Sequence, residues 1–132
     1  MQYTLTTFTS IILVFIISSC SPSKEKTFEK EAEEQNRLYP MMIDPYTRID
    51  SIRYTASENT FRYYYTLIAD ADNAYIAAQK CEDMKSQLPA EIKKAPGLAI
   101  HRKHKVTMEY IYFSESSGSE LLRLTVTPEM YE

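Results

Sequence analysis

The chain has 132 residues, enough for one modest hydrophobic core and too few for two. A composition of 44% hydrophobic and 25% charged residues excludes disorder along the whole length. The net charge of −3 argues against a nucleic-acid binder, and two glycines can hardly furnish the backbone cradle of a phosphate site.

Residues 1–19 contain no Asp, Glu, Lys, Arg or His, so all the formal side-chain charge lies after them. Within this segment, residues 8–19 read FTSIILVFIISS, an apolar run of the length of a signal-peptide h-region and shorter than the roughly 20 residues that span a bilayer. Residues 1–19 are therefore expected to be a targeting segment and not part of the fold.

The run ends in Ile17, Ser18, Ser19 and Cys20. A branched aliphatic and two small residues before a cysteine resemble the lipobox of bacterial prolipoproteins. The n-region, residues 1–10, departs from the family pattern in having no Lys or Arg. The resemblance implies a diacylglyceryl group on the Cys20 thiol, cleavage just before it, and in many bacteria a further acyl chain such as palmitate on the new amine. It implies a lipoprotein of the bacterial cell envelope, lipid-anchored to a membrane; in a Gram-negative cell this is the outer membrane, with the protein facing the periplasm or the cell surface. Each buried methylene adds about 0.8 kcal/mol, so two or three chains hold far more firmly than one.

A thioether at Cys20 leaves Cys81 without a disulfide partner. Cys81 falls on the helical stripe Ala77, Cys81, Met84, Leu88, the pattern of a buried inert thiol.

Residues 20–38 read as lipid anchor and charged tether. The stretch SPSKEKTFEKEAEEQN is rich in Lys and Glu, and Phe28 with Ala32 forms too thin a stripe for strong burial, although Glu33 and Arg37 stand in the favourable i, i+4 order. A helix that docks a partner is the alternative to a solvated stalk.

A single α+β domain is expected over 39–132. Residues 47–54 predict a strand with a bulge or edge, because the apolar positions change phase between Ile49 and Ile52. Ser57, Glu58 and Asn59 form a turn, and residues 60–68 alternate as a strand with Phe61, Tyr63, Tyr65 and Leu67 on one face. Asp72 or Asn73 caps a helix over 74–87, and Pro89 starts a shorter one over 90–95 that stops at Pro96 and Gly97. Strand periodicity returns at 105–113 and at 121–127, joined by a serine-rich loop containing Gly118. The order ββααββ predicts a small antiparallel sheet of about four strands packed against one main helix.

No catalytic constellation emerges, and no cofactor is implied. Asp70 and Asp72 read as turn and cap residues. His101 and His104 have a ligand-like spacing, but Arg102, Lys103 and Lys105 surround them with positive charge, so no metal site is expected.

Two surfaces merit testing. Lys93, Lys94, Arg102, Lys103 and Lys105 form a basic stretch without Asp or Glu, suited to an anionic partner. Tyr63, Tyr64, Tyr65, Tyr110 and Tyr112 could give an aromatic patch if an outward ring of the first three lies beside the last two. The leading functional expectation is a non-catalytic, membrane-tethered interaction or envelope-assembly module with a protein or envelope-component partner. A small-ligand binder would need a closed cavity under the sheet, and an enzyme a cleft gathering His101, His104, Asp70 or Asp72.

Overall fold

The lysine- and glutamate-rich segment after Cys20 is a helix, α1 (Lys24–Asn36), in the computed structural model, which describes residues 20–132. The expected signal segment, with Ile17, Ser18 and Ser19, lies outside the described residues. Ser23 caps α1 by accepting a hydrogen bond from the Lys26 amide, Glu25 sits in the first turn, and the helix contains neither Gly nor Pro.

The expected tether over 20–38 is corrected by this helix, which is an integral part of the domain. Phe28 is fully buried, with ring centroids 5.2 Å from Tyr54, 5.4 Å from Phe61 and 5.1 Å from His101, and Ala32 beside it lets the helix approach the sheet. One large aromatic with aromatic neighbours supplies what a wide apolar stripe otherwise would.

Next come β1 (Met41–Asp44), β2 (Thr47–Thr55) and β3 (Thr60–Leu67). The register of β2 on β3 shifts between Ile49 and Ser51, the bulge that the phase change announces. The side-chain amide of Asn36 fastens the strand just beyond it, donating to the Ile52 carbonyl and accepting from the Ile52 amide, both at 2.7 Å. Between β2 and β3, Asn59 adopts φ 49°, accepts from the Tyr54 hydroxyl, and donates to the carbonyls of His104 and Lys105. It ties this turn to the loop entering the second half of the sheet.

The crossover consists of α2 (Ala74–Lys94), capped by Asn73 at the Ile76 amide, and α3 (Ala99–Lys103). Helix α2 runs through Pro89 where two helices were expected. A proline there removes one backbone donor, whereas unbroken helix keeps Ala77 and Ile92 buried and Cys81, Met84 and Leu88 packed on the core. Strands β4 (Thr107–Ser114) and β5 (Glu120–Val126) follow, and α4 (Pro128–Tyr131) ends with Tyr131 buried, its hydroxyl donating to the Val106 carbonyl at 2.7 Å.

The α+β class and the core order of two strands, a helical crossover and two strands hold, with additions at both ends; the crossover's second helix is α3, beyond the Pro96 and Gly97 stop. The sheet has five strands in the order β1-β2-β3-β4-β5, and the central pair β3 and β4 is parallel, correcting the all-antiparallel expectation. The chain leaves the Leu67 end of β3, and the crossover returns it to the Thr60 end. Helix α1 packs on β2 and α2 on β5, and both contribute to one core on the same face of the sheet.

Candidate functional site at the β1 edge

Parallel pairing decides the fate of the tyrosines. Directly paired residues of β3 and β4 share a face, so Tyr63 stacks on Tyr110 at 5.0 Å and Tyr65 on Tyr112 at 4.5 Å, beneath the helices. Burial pushes all four hydroxyls upward, that of Tyr65 to about 12, and keeps them neutral at ordinary pH. Tyr64 lies on the opposite face. The expected aromatic surface is thus divided between the two faces, and its greater part is core.

Around Tyr64 the outer face is a charge ladder. Glu109 accepts from Arg62 at 2.6 Å and from Arg123 at 2.9 Å, and Asp50 accepts from Arg48 and Thr66, each at 2.6 Å. Burial alone would raise the Glu109 carboxyl, but the hydrogen bonds from Arg123 and Arg62 outweigh it and hold the group below its usual value. Arg62 also pairs with Glu58, and Arg123 with Glu120. These partners satisfy one another.

The basic stretch does not present five free cations. Arg102 donates to the carbonyls of Ile92 and Ala95 at 2.8 and 2.5 Å, capping the end of α2. Lys93 donates to the Glu132 main-chain oxygen at 2.8 Å, and Lys105 lies 3.1 Å from the Glu132 carboxylate. Lys94 and Lys103 are exposed.

The titratable groups whose convergence would mark an enzyme lie at opposite ends of the sheet. His101 is buried against Phe28 and Phe61, and the His104 carbonyl is held by Asn59 at the Thr60 end. Asp72 accepts from the Ser116 amide beyond the Leu67 end, about 26 Å away along an eight-residue strand. Burial lowers the His101 pKa, with the neighbouring Glu31 carboxylate, 3.2 Å from Nε2, acting in the opposite direction.

A different feature stands out on the surface. Nine large hydrophobic side chains are exposed among the described residues, and five of them, Leu38, Met41, Met42, Ile43 and Tyr46, fall within nine consecutive positions, each 46–70% exposed. Four of the five lie on or beside β1, an edge strand that pairs, among the described residues, only with β2. Pro40 and Pro45 flank the strand and its register shifts between Met42 and Asp44, leaving a short open edge. At its far end Tyr46 joins Leu67, Ala71 and Ile76 in lining an open groove of ≈ 380 Å³, with Lys80 and Asp83 of α2 on its wall. The sequence displays this apolar run as YPMMIDPY, but nothing in its spacing tells that it faces outward.

Cys20 is exposed and stands three residues before the Ser23 cap of α1. Cys81 is half-buried on the inner face of α2.

A family model described as a domain of unknown function (DUF8479) matches residues 23–122. No curated protein matches the chain. Among solved structures, it is similar to a protein from Pseudomonas aeruginosa described as secreted, with TM-score 0.69 and 14% identity over 82% of this chain and 92% of that one. It is also similar to the type II secretion system pilotin AspS from Vibrio cholerae, with TM-score 0.58 and 16% identity over 80% and 90% of the two chains. The pilotin EpsS of the Vibrio vulnificus type 2 secretion system gives TM-score 0.52 and 14% identity over 82% and 91%. At these identities the likeness is one of fold.

Proposed function

We propose, from the premise that this chain belongs to the DUF8479 family, that it is a lipid-anchored, non-catalytic envelope protein whose β1 edge receives an apolar segment of a partner protein. The observation that carries the reading is the cluster of exposed apolar side chains Met41, Met42, Ile43 and Tyr46 on or beside a short sheet edge, with Leu38 just before it in the chain. Water-exposed Met and Ile side chains gain about 1.5–3 kcal/mol each when fully buried, so a partner covering several of them has a strong driving force. Because the prolines restrict the open backbone to four residues, side-chain contact contributes more than strand addition.

Two further considerations support the reading. Two tyrosine stacks occupy the space under the centre of the sheet, where a ligand chamber would lie, and His101 and Asp72 are too far apart to share a reaction. Two pilotins of type II secretion systems share the fold. On this reading Cys20 carries the lipid, the protein sits on the outer membrane of a Gram-negative envelope, and its partner is a protein of an envelope assembly.

The test is affinity capture of the lipidated protein from membranes, comparing the unaltered chain with a Met42→Lys, Ile43→Lys double variant. A partner retained by the first and lost by the second is the expected result. The same partners on both would overturn the assignment of β1. Metabolic labelling with a fatty-acid analogue tests the anchor: label on the unaltered chain that vanishes in Cys20→Ala supports it, and label surviving the substitution contradicts it.

A further inference from the structure

The end of the domain nearest Cys20 carries features that the partner-binding edge does not use. Only Ser21, Pro22 and Ser23 separate Cys20 from the first residue of α1, and Ser23 is already the helix cap. At no more than about 3.6 Å per residue, Cys20 reaches only about 11 Å from Ser23. Phe28, fully buried one turn later, prevents the start of α1 from swinging away from the sheet. A lipid on Cys20 therefore holds this end of the folded domain no more than about 11 Å from the headgroups, a distance comparable to the Debye length of roughly 8 Å at physiological salt.

The surface found there is apolar at its centre and carries lysines nearest Cys20. Pro22, Lys24, Thr27, Phe28, Ile100 and His104 line a shallow groove of ≈ 200 Å³. Ile100 on α3 is 51% exposed, and Lys103, on the same side of the short helix one turn on, is exposed. Lys26 lines a second depression beside Pro22. The acidic neighbours are Glu25, 3.9 Å from Lys24, Glu29 one turn further along α1, and Glu31 and Glu34, which line the same depression as Lys26 and Lys30 on turns further from Cys20.

We propose that this end is a membrane-contact surface: Pro22 and Ile100 enter the headgroup layer of an anionic bilayer, and Lys24, Lys26 and Lys103 lie over its phosphates. This rests on the reading of Cys20 as the lipidated residue. The lipid then fixes the orientation of the domain as well as its location. Helix α1, about 20 Å long, separates the contacting end from Leu38 and the start of β1. Each lysine near an anionic surface adds about 1 kcal/mol of attraction, so the contact is a modest bias made effective by the covalent lipid.

The chain contains no Trp, so a single introduced indole reports on its own surroundings. The experiment reconstitutes the lipidated protein, as Ile100→Trp or Tyr75→Trp, in phosphatidylethanolamine vesicles containing phosphatidylglycerol and brominated acyl chains. Tyr75 is 71% exposed at the start of α2, beyond the opposite end of the sheet. Blue-shifted emission from Ile100→Trp, quenched at least twofold more than that from Tyr75→Trp, is the expected result. Adding Lys26→Glu and Lys103→Glu to Ile100→Trp is expected to remove most of that difference. Equal quenching at both positions, or none at either in protein that carries the fatty-acid label, would overturn the contact surface while leaving the anchor intact. Failure of the unaltered chain to take up label would overturn the anchor and this proposal together.

Discussion

Two neighbouring stretches of the chain reverse the usual relation between hydropathy and burial. Between Lys24 and Ala32 there are only two apolar side chains, and both are buried. Between Leu38 and Tyr46 there are six large ones, and all but Tyr39 are exposed. Composition alone would assign the first stretch to solvent and the second to the core. What decides the first is fit: Phe28 enters a ring of Tyr54, Phe61 and His101, with His104 at its edge, and Asn36 anchors the far end of the helix to Ile52. What decides the second is position, because among the described residues an outermost strand with helices on only one side of its sheet has nothing further to pack against. The contrast separates an apolar group that stabilises the fold from apolar groups left free for another molecule.

Breaking the first region should cost the most. Phe28→Ala empties the centre of the aromatic ring and is expected to destabilise the domain by about 3–5 kcal/mol, measured as a lower urea midpoint at unchanged slope. Asn36→Ala leaves the Ile52 amide and carbonyl without their partners, and about 1–3 kcal/mol should be lost in the same measurement.

A pH dependence sharpens the account of the same pocket. The unfolded imidazole of His101 takes up a proton near its ordinary value of 6.5, whereas burial holds the folded value lower and Glu31 only partly offsets this. The folded state therefore binds fewer protons. The associated stability is fully present above about 6.5 and is lost as the pH falls below it. The urea midpoint is expected to fall between about pH 7.5 and about pH 5.5, and to fall less in His101→Gln, which has no imidazole to protonate. An equal fall in both proteins would remove His101 from the explanation.

The smallest effect on stability is expected from the second region. Met42→Ser with Ile43→Ser should change the urea midpoint by no more than the equivalent of about 0.5 kcal/mol per site, because these side chains touch little in the isolated domain. A large loss would mean that the edge supports the fold and is not reserved for a partner.

Much of the central architecture is legible in the residue pattern. The alternation of Phe61, Tyr63, Tyr65 and Leu67 marks β3, the phase change between Ile49 and Ile52 marks the bulge, and the Ala77–Cys81–Met84–Leu88 stripe marks α2. Features that depend on distant partners are not legible. The stacking of Tyr63 on Tyr110 needs the parallel register, which the path of the crossover sets, so rings that suggest a surface patch lie in the core. Lys93 and Lys105 read as free cations because Glu132, which joins them, is remote along the chain. Helix α4 is too short for its periodicity to show, and it is held by the Tyr131 hydroxyl at Val106. The apolar run of β1 is visible as a run, but its exposure follows from its outermost place in the sheet.

The most direct test of the central claim is amide hydrogen exchange on the lipidated protein with and without its captured partner. The account predicts slower exchange over Met41–Asp44 and in the Tyr46 turn when the partner is bound, with β4 and β5 unchanged. Protection confined to another surface, with exchange in β1 unaltered, would contradict it.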